Sequence, residues 1–174
     1  MASRTSLPPE TPNIDGAIAL LESDDHQVRQ FVAYLLGQVR DPRAVDPLIQ
    51  TLHDPHVGVR GAAANALGNL RAKRALPYLR PLLKDPNPQL IVWVAFALTM
   101  LGDDQFDLIV RALQSDDVDV RRSGVLAMRQ LGDPRAIEPL RQLRGDHARR
   151  FETDTTVEAA ATNALFSLGY DGAL

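Results

Sequence analysis

The eleven residues Gln38–Leu48 read Gln-Val-Arg-Asp-Pro-Arg-Ala-Val-Asp-Pro-Leu, and Gln130–Leu140 repeat them as Gln-Leu-Gly-Asp-Pro-Arg-Ala-Ile-Glu-Pro-Leu. A longer match without gaps relates the stretches Val28–Leu48, Val59–Leu79 and Val120–Leu140. Each of these three stretches begins with Val-Arg, and the arginines follow one another after 31 and 61 residues. The period is therefore about 30–31 residues, which is the signature of a repeat architecture.

Each repeat carries the signals of two helices. Asp41-Pro42 and Asp133-Pro134 begin the first helix, because Asp accepts hydrogen bonds from free amides and Pro at the first helical position loses none. Pro47 and Pro139 lie inside these predicted helices and are expected to bend them. Apolar residues recur at helical spacing through both helices. The predicted helix pairs span residues 14–39, 41–70, 72–101, 103–131 and 133–168, with an insertion of about six residues within 145–154.

The domain organisation follows from the size of one pair. Two short helices cannot bury their own apolar face, so neighbouring pairs must stack into an elongated solenoid with one continuous core. We expect this solenoid to cover residues 14–169. Residues 1–13, which contain three prolines, and residues 170–174 are expected to be tails.

Composition excludes several classes of protein. The 174 residues contain no cysteine, which rules out disulfides, thiolate metal sites and a cysteine nucleophile. The net charge of −3 disfavours a dedicated nucleic-acid-binding domain. The longest apolar run, Leu90–Leu98, is far shorter than the ~20 residues of a membrane-spanning helix, so we expect no membrane association and a cytoplasmic location. Only nine residues are aromatic, so their positions are informative.

The segment Asp54–Gly68, which reads Asp-Pro-His-Val-Gly-Val-Arg-Gly-Ala-Ala-Ala-Asn-Ala-Leu-Gly, resembles the HEAT repeat, in particular the short subtype named from phycobilisome lyases. The resemblance implies an all-α fold, a right-handed α-solenoid of about five HEAT-like helix pairs. It also implies a structural role for the arginines that begin the second helix, which tie neighbouring repeats together. We call these positions the Arg column. They are occupied by Arg29, Arg60 and Arg121, whereas Ile91 and Glu158 depart from the pattern. Members of this family include phycobilin lyase subunits, phycobilisome-degradation proteins and regulatory scaffolds. Deoxyhypusine hydroxylases share the repeat but bind iron through His-Glu pairs, and this sequence contains no His-Glu dipeptide.

The resemblance further implies that the second helix of each pair lines a concave groove. Positions 1, 2, 5 and 9 after the Arg column lie off the apolar core stripe and vary most, so we expect them to face that groove. Four of the nine aromatic residues occupy these positions in the first and third repeats. The predicted partner-binding residues are Gln30, Phe31, Tyr34, Gly61, Ala62, Asn65, Val92, Trp93, Phe96, Met100, Arg122 and Leu126. The alternative is that helix 88–101 is apolar on all sides because it is buried, with Trp93 under a neighbouring repeat.

The main functional hypothesis is a non-enzymatic module or scaffold that binds a helix or extended segment of another protein in the groove. Aromatic residues on a shallow surface are typical of binding sites. No residues are predicted to be catalytic, to bind a metal or to hold a required cofactor, although His53 and His56 have metal-ligand spacing. The alternative hypothesis is a subunit similar to phycobilin lyases that holds a tetrapyrrole in the groove. The basic stretches at residues 71–84 and 141–150 keep nucleic-acid binding as a third, less favoured hypothesis.

Overall fold

The computed structural model describes residues 13–147 and 156–170, and the regular elements in these ranges are helices. The predicted all-α architecture of five stacked helix pairs is confirmed. In each pair a short helix precedes a longer one. The helices are α1 (Ile14–Ala19), α2 (His26–Val39), α3 (Val45–Thr51), α4 (Val57–Asn69), α5 (Leu76–Leu79), α6 (Pro88–Met100), α7 (Phe106–Ala112), α8 (Val118–Leu131), α9 (Ile137–Arg141) and α10 (Val157–Ser167). Residues 1–12 and 171–174 of the predicted tails, and residues 148–155 of the insertion, lie outside the described ranges.

The Asp-Pro signals begin a 3₁₀ turn and not the α-helix itself. Asp41 caps the turn Pro42–Ala44, where its side chain accepts a hydrogen bond from the amide of Arg43 at 2.9 Å. Helix α3 then begins at Val45, so Pro47 is its third residue. Amides in the first turn have no intrahelical partner, and Pro47 therefore removes no hydrogen bond. The expectation that this proline bends a helix interior is wrong for this reason, and the same holds for Pro139 in α9.

The longer, even-numbered helices stack side by side because small residues let them approach closely. A Cβ atom added to Gly37 of α2 would lie 2.7 Å from the Cα atom of Ala66 in α4. The same contact recurs one repeat later, where a Cβ atom on Gly68 would lie 2.9 Å from the Cα atom of Ala97 in α6. The glycine and alanine columns of the sequence therefore set the spacing between neighbouring even helices.

Three arginines of the Arg column link consecutive repeats through the same set of bonds. The Nε atom of Arg29 donates to the carboxylate of Asp54 in the next repeat at 2.7 Å, and its Nη1 atom donates to the carbonyl of Ser23 at 2.7 Å. Arg60 and Arg121 repeat this arrangement, each with an aspartate 25 residues further along the chain. Both partners of each pair are largely shielded from solvent. We call each of these arginine–aspartate links a rung. In the third repeat Ile91 stands in place of the arginine, so the rung from the third repeat to the fourth is missing.

The core divides into two apolar clusters that meet at α6. Leu90, Val94 and Leu98 of α6 belong to the first cluster, which runs from Ile14 to Leu101. Val92 and Phe96 of the same helix belong to the second cluster, which continues to Leu165. Helix α6 is apolar on all sides because it supplies side chains to both clusters. None of the described helices combines the length and apolar character that crossing a membrane requires.

Candidate functional site

The even helices enclose a cavity of about 620 Å³, which we call the aromatic cavity. Side chains of α2, α4, α6 and α8 form its lining, so it opens on the side of the solenoid that carries the even helices. Most of the surface that lines it is apolar. Its lining residues are Gln27, Gln30, Phe31, Tyr34, Val57, Gly58, Gly61, Ala62, Asn65, Gln89, Leu90, Trp93, Leu126, Arg129 and Gln130.

Aromatic side chains stand on two sides of the aromatic cavity and small residues lie between them. Phe31 and Tyr34 project from α2 and remain 61% and 46% exposed. Trp93 of α6 is half-buried and packs edge-on against Phe96, with 6.1 Å between the ring centroids. A Cβ atom added to Gly61 of α4 would lie 3.3 Å from the Cδ1 atom of Trp93. The absence of a side chain at position 61 therefore leaves the space beside the indole open.

One end of the aromatic cavity is closed by a contact between helices two repeats apart. The Nδ2 atom of Asn65 in α4 donates to the Oε1 atom of Gln130 in α8 at 3.1 Å. Asn69 donates to Asn65 at 2.9 Å and holds that amide in place. A direct bond across an intervening helix means that the even side of the solenoid is concave, with α4 and α8 drawn together over α6.

The structure places eight of the twelve predicted partner-binding residues on the aromatic cavity. They are Gln30, Phe31, Tyr34, Gly61, Ala62, Asn65, Trp93 and Leu126. Val92 and Phe96 were expected to face the groove, and that expectation is wrong because they are 2% and 0% exposed. The approach of α4 and α8 covers this part of α6, which places both side chains in the second core cluster.

Met100 and Arg122 also lie away from the aromatic cavity. Met100 is half-buried and packs against the second core cluster. Arg122 is half-buried on the first turns of α8 and is absent from the lining, so it cannot orient a ligand there as expected. The cationic side chain of the lining is Arg129 instead, which lies two turns later on the same helix and is exposed.

Sequence reasoning missed several lining residues that lie one turn before the predicted columns. Gln27, Gly58 and Gln89 each precede a predicted groove residue by four positions and share its helix face. Extending the predicted stripe by one turn would have found them. Val57 likewise precedes Gly61 by four positions, and Gln130 lies on the predicted columns, whereas Leu90 and Arg129 do neither.

The electrostatics of the aromatic cavity are simple. Among the described residues that line it, Arg129 carries the one formal charge, and none is a carboxylate or a histidine. The carboxylates with shifted pKa values lie elsewhere, in ion pairs that hold the repeats. Burial raises the pKa of Asp54, but hydrogen bonds from Arg29 and from the amide of His56 outweigh it, so this pKa lies below its usual value. These shifts therefore report structural pairs.

The other candidate sites of the sequence have structural contacts. His56 stacks on His26 with 4.0 Å between ring centroids, and in residues 13–147 and 156–170 no three His, Asp or Glu side chains converge as a metal site would require. In the basic stretch at residues 71–84, Arg71 donates to the carbonyl of Met100, while Arg74 and Arg80 pair with aspartates. Arg149 and Arg150 of the second stretch lie outside the described residues.

Comparison with known proteins identifies relatives of two kinds. Over 165 residues the chain is 28% identical to uncharacterized phycocyanin operon protein Z of Pseudanabaena tenuis, covering 89% of this chain and 79% of that protein. Over 75 residues it is 43% identical to the phycocyanobilin lyase subunit alpha of Microchaete diplosiphon, covering 38% of this chain and 26% of the subunit. The chain thus spans about a quarter of the length of that lyase subunit.

Similarity of fold extends further than similarity of sequence. The structure of human deoxyhypusine hydroxylase in complex with glycerol superposes with a TM-score of 0.53 at 18% identity, over 89% of this chain and 73% of that one. At this identity the likeness concerns the fold alone. The family model for HEAT repeats matches residues 14–99 and again residues 79–165, which together cover most of the sequence. This chain belongs to the HEAT-repeat family.

Proposed function

We propose that the aromatic cavity binds a segment of a partner protein and that the chain acts as a non-enzymatic interaction module. The observation that carries this proposal is the pair of aromatic walls, exposed Phe31 and Tyr34 on one side and half-buried Trp93 on the other, around a floor of small residues. Aromatic side chains in a concave apolar site supply most of the free energy of many protein interfaces. An apolar side chain of the partner would fill the space beside Gly61.

The rim of the aromatic cavity supports a peptide as the ligand. Five amide side chains line it, and each amide group offers both a donor and an acceptor. This combination matches the alternating N–H and C=O groups of a peptide backbone. The side chain of Asn65 bonds Gln130 and that of Gln89 bonds Ser123, whereas the side-chain amides of Gln27 and Gln30 make no hydrogen bond within the described residues. Gln27 and Gln30 are therefore the amides we assign to the partner backbone.

The chemistry of the lining supports binding without catalysis. General acid–base catalysis needs a group that exchanges a proton near neutral pH, and nucleophilic catalysis needs an activated nucleophile. The described lining offers amides, one guanidinium and one phenol. The guanidinium of Arg129 is a cation without a carboxylate beside it in the described lining, so its role in this proposal is to attract a negative charge on the ligand.

The test compares two tyrosines of equal exposure. Tyr34 lines the aromatic cavity and is 46% exposed, whereas Tyr78 on α5 is 48% exposed and lies outside it. Wild type, Tyr34→Ala and Tyr78→Ala are used side by side to capture partners from the source organism, and affinities for the captured protein are then measured. We expect Tyr34→Ala to weaken binding at least ~10-fold, equivalent to about 1.4 kcal/mol, and Tyr78→Ala to leave it unchanged.

A built-in reporter makes the test independent of capture. Trp93 is the only tryptophan of the chain, so the tryptophan emission comes from the wall of the aromatic cavity. Binding of the purified partner should move this emission to shorter wavelength because the ligand displaces water from the indole. A partner that binds Tyr34→Ala as well as wild type, with no change in Trp93 emission, would refute the proposal.

A tetrapyrrole is the second candidate ligand, favoured by the similarity to a phycocyanobilin lyase subunit. The cavity volume lies within the range of small-molecule sites, about 300–1,000 Å³. A conjugated ring system could stack on Trp93, and its carboxylate could pair with Arg129. Titration with a free bilin tests this idea. The idea is supported if the bilin's visible absorbance changes and Trp93 emission is quenched with wild type, and if neither change occurs with Tyr34→Ala. No change in wild type would reject it.

A further inference from the structure

The aromatic cavity has a cationic wall on α8, at the other end of the row of even helices from the aromatic wall on α2. Arg129 lies in the last turn of α8 and is exposed. No hydrogen bond or ion pair joins its guanidinium to another described residue. The three helices that form the rest of the cavity, α2, α4 and α6, contain no aspartate or glutamate. Within the described part of the chain, the charge of Arg129 is therefore left for a ligand.

The surroundings of Arg129 strengthen its attraction for an anion. Most of the lining surface is apolar, and the other polar side chains of the described lining are neutral amides and one phenol. Apolar walls lower the local dielectric constant, and a concave surface that carries one sign of charge concentrates the electric field. A ligand that fills the cavity also displaces water from the guanidinium. An ion pair formed there is therefore shielded from solvent, unlike a pair on an open surface.

The charge on this wall matches one negative charge and not two. Arg129 is the one cation of the described lining, and the carbonyl end of α8, which carries a partial negative charge, lies within a turn of it. A phosphate group carries about 1.5–2 negative charges near neutral pH, and phosphopeptides are recognised by clusters of arginines. A carboxylate carries a single charge and pairs with one guanidinium. The geometry therefore favours a carboxylate.

The distance from the apolar part of the cavity to the cationic wall sets the spacing within the ligand. The space beside Gly61 and Trp93 lies between α4 and α6, and α8 packs next to α6. The axes of neighbouring packed helices are about 8–10 Å apart. In an extended chain, residues two positions apart point to the same side and are separated by about 7 Å, a gap that the long side chain of Arg129 can close.

We propose that the aromatic cavity binds an extended acidic segment, in which an Asp or Glu residue stands two positions from an apolar residue. The apolar side chain fills the space beside Gly61, and the carboxylate pairs with Arg129. Charge complementarity selects this segment over neutral and basic ones. The inference rests on the proposed function, because it specifies the chemistry of the partner at the same site.

Selection from a displayed library of random short peptides tests the proposal on the full chain. The baits are wild type, Arg129→Gln, Tyr34→Ala and Arg111→Gln. Arg111 is the matched control, because it is exposed in the last turn of α7 and lies outside the aromatic cavity. We expect wild type and Arg111→Gln to enrich peptides with the apolar and acidic residues two positions apart. Arg129→Gln should enrich apolar residues without the acidic one, and Tyr34→Ala should enrich neither.

Affinities of one selected peptide, synthesised with an amidated C-terminus, are then measured from Trp93 emission. Changing its acidic residue to the corresponding amide should weaken binding to wild type at least ~10-fold and to Arg129→Gln less than ~2-fold. A peptide with Lys at the acidic position should bind Arg129→Glu more tightly than it binds wild type. Phosphoserine at that position should bind wild type no more tightly than the acidic residue. Circular dichroism confirms that each variant retains its helices.

The outcomes separate this inference from the proposed function. Enriched peptides without an acidic residue, or an acidic preference that persists in Arg129→Gln, overturn the inference and leave the proposed function standing. Peptides that bind only with a free C-terminal carboxylate also overturn it, as does tighter binding of phosphoserine, since the anion is then a chain end or a phosphate. If wild type enriches no peptide over Tyr34→Ala, the inference and the proposed function both fail.

Discussion

Replacing Ile91 with arginine should add the missing rung between the third and fourth repeats. Each existing rung joins an arginine to an aspartate 25 residues later, and residue 116 is an aspartate at that spacing from position 91. Each arginine also donates to the carbonyls five and six residues before it. For position 91 these are the carbonyls of Pro86 and Asp85. The carbonyl acceptors are therefore in place, whereas the carboxylate is displaced by one residue. Ser115 and not Asp116 takes the place of Asp54 and Asp85, because its Oγ atom accepts a hydrogen bond from the amide two residues later, as their carboxylates do.

The expected gain is worked from the three existing rungs. Their arginine side chains are 13–18% exposed, and their aspartates are 8–20% exposed. At that shielding a charged hydrogen bond contributes more than the 0.2–1 kcal/mol of an exposed pair, but fixing a long side chain offsets part of it. Ile91 belongs to neither core cluster, so its loss costs little. Because Asp116 is exposed, the new pair gains less than the shielded ones, and we expect Ile91→Arg to raise the free energy of unfolding by up to about 1 kcal/mol, and Tm by up to about 2–4 °C.

A double-mutant cycle with Asp116→Asn isolates the new ion pair. Asp116 is exposed, so Asp116→Asn alone should leave stability within ~0.5 kcal/mol of wild type. Urea unfolding followed by circular dichroism gives the free energy of all four proteins. We expect a coupling energy of about 0.2–1 kcal/mol between positions 91 and 116, the range of an exposed ion pair. If Ile91→Arg has the same effect with aspartate or asparagine at position 116, the rung does not form and the reasoning fails.

Three further predictions concern packing, groove closure and acid stability. Gly37→Val should destabilise the protein by about 1–3 kcal/mol, because its Cβ would meet the Ala66 backbone at 2.7 Å. Gly61→Ala should lower the free energy of unfolding by less, because its Cβ meets only the edge of Trp93 at 3.3 Å. Equal losses of stability in urea unfolding would contradict this. Gln130→Ala should lower the free energy of unfolding by about 0.5–1.5 kcal/mol, because it removes the hydrogen bond to Asn65. The concave side should then loosen and Trp93 emission should move to longer wavelength. An unchanged emission spectrum would mean that the bond from Asn65 does not hold the groove closed. Hydrogen bonds from arginines lower the pKa values of four aspartates below 3.8, namely Asp41, Asp103, Asp104 and Asp133. These pairs therefore stabilise the fold above that pH and lose their contribution as the pH falls through the lowered pKa values. The urea midpoint should be level above about pH 5 and drop below about pH 4, and a midpoint that stays flat to pH 3 would contradict this prediction.

Most of the fold follows from sequence because its signals are local and repeated. The Asp-Pro caps, the alanine and leucine columns and the glycines between helices recur in one order, and each acts within a single pair or between neighbours. The error at Pro47 has a local cause. A helix that begins at Asp41, as the sequence predicts, makes Pro47 an interior residue. In the structure a 3₁₀ turn precedes the α-helix, so Pro47 is only the third helical residue. The spacing of apolar residues does not distinguish this 3₁₀ turn from the first turn of an α-helix.

The aromatic cavity shows where such reasoning ends. Tyr34, Asn65 and Phe96 occupy the same position of successive even helices, yet they are 46%, 5% and 0% exposed. Helical periodicity determines the direction in which a side chain points, but the curvature of the whole stack determines whether solvent reaches it. That curvature is visible in the bond from Asn65 to Gln130, 65 residues away, which no period of about 30 residues specifies. At the open end of the groove, where α2 has no preceding even helix among the described residues, the residues predicted to face the groove therefore line the cavity. At the closed end, Phe96 was predicted to face the groove and is buried instead.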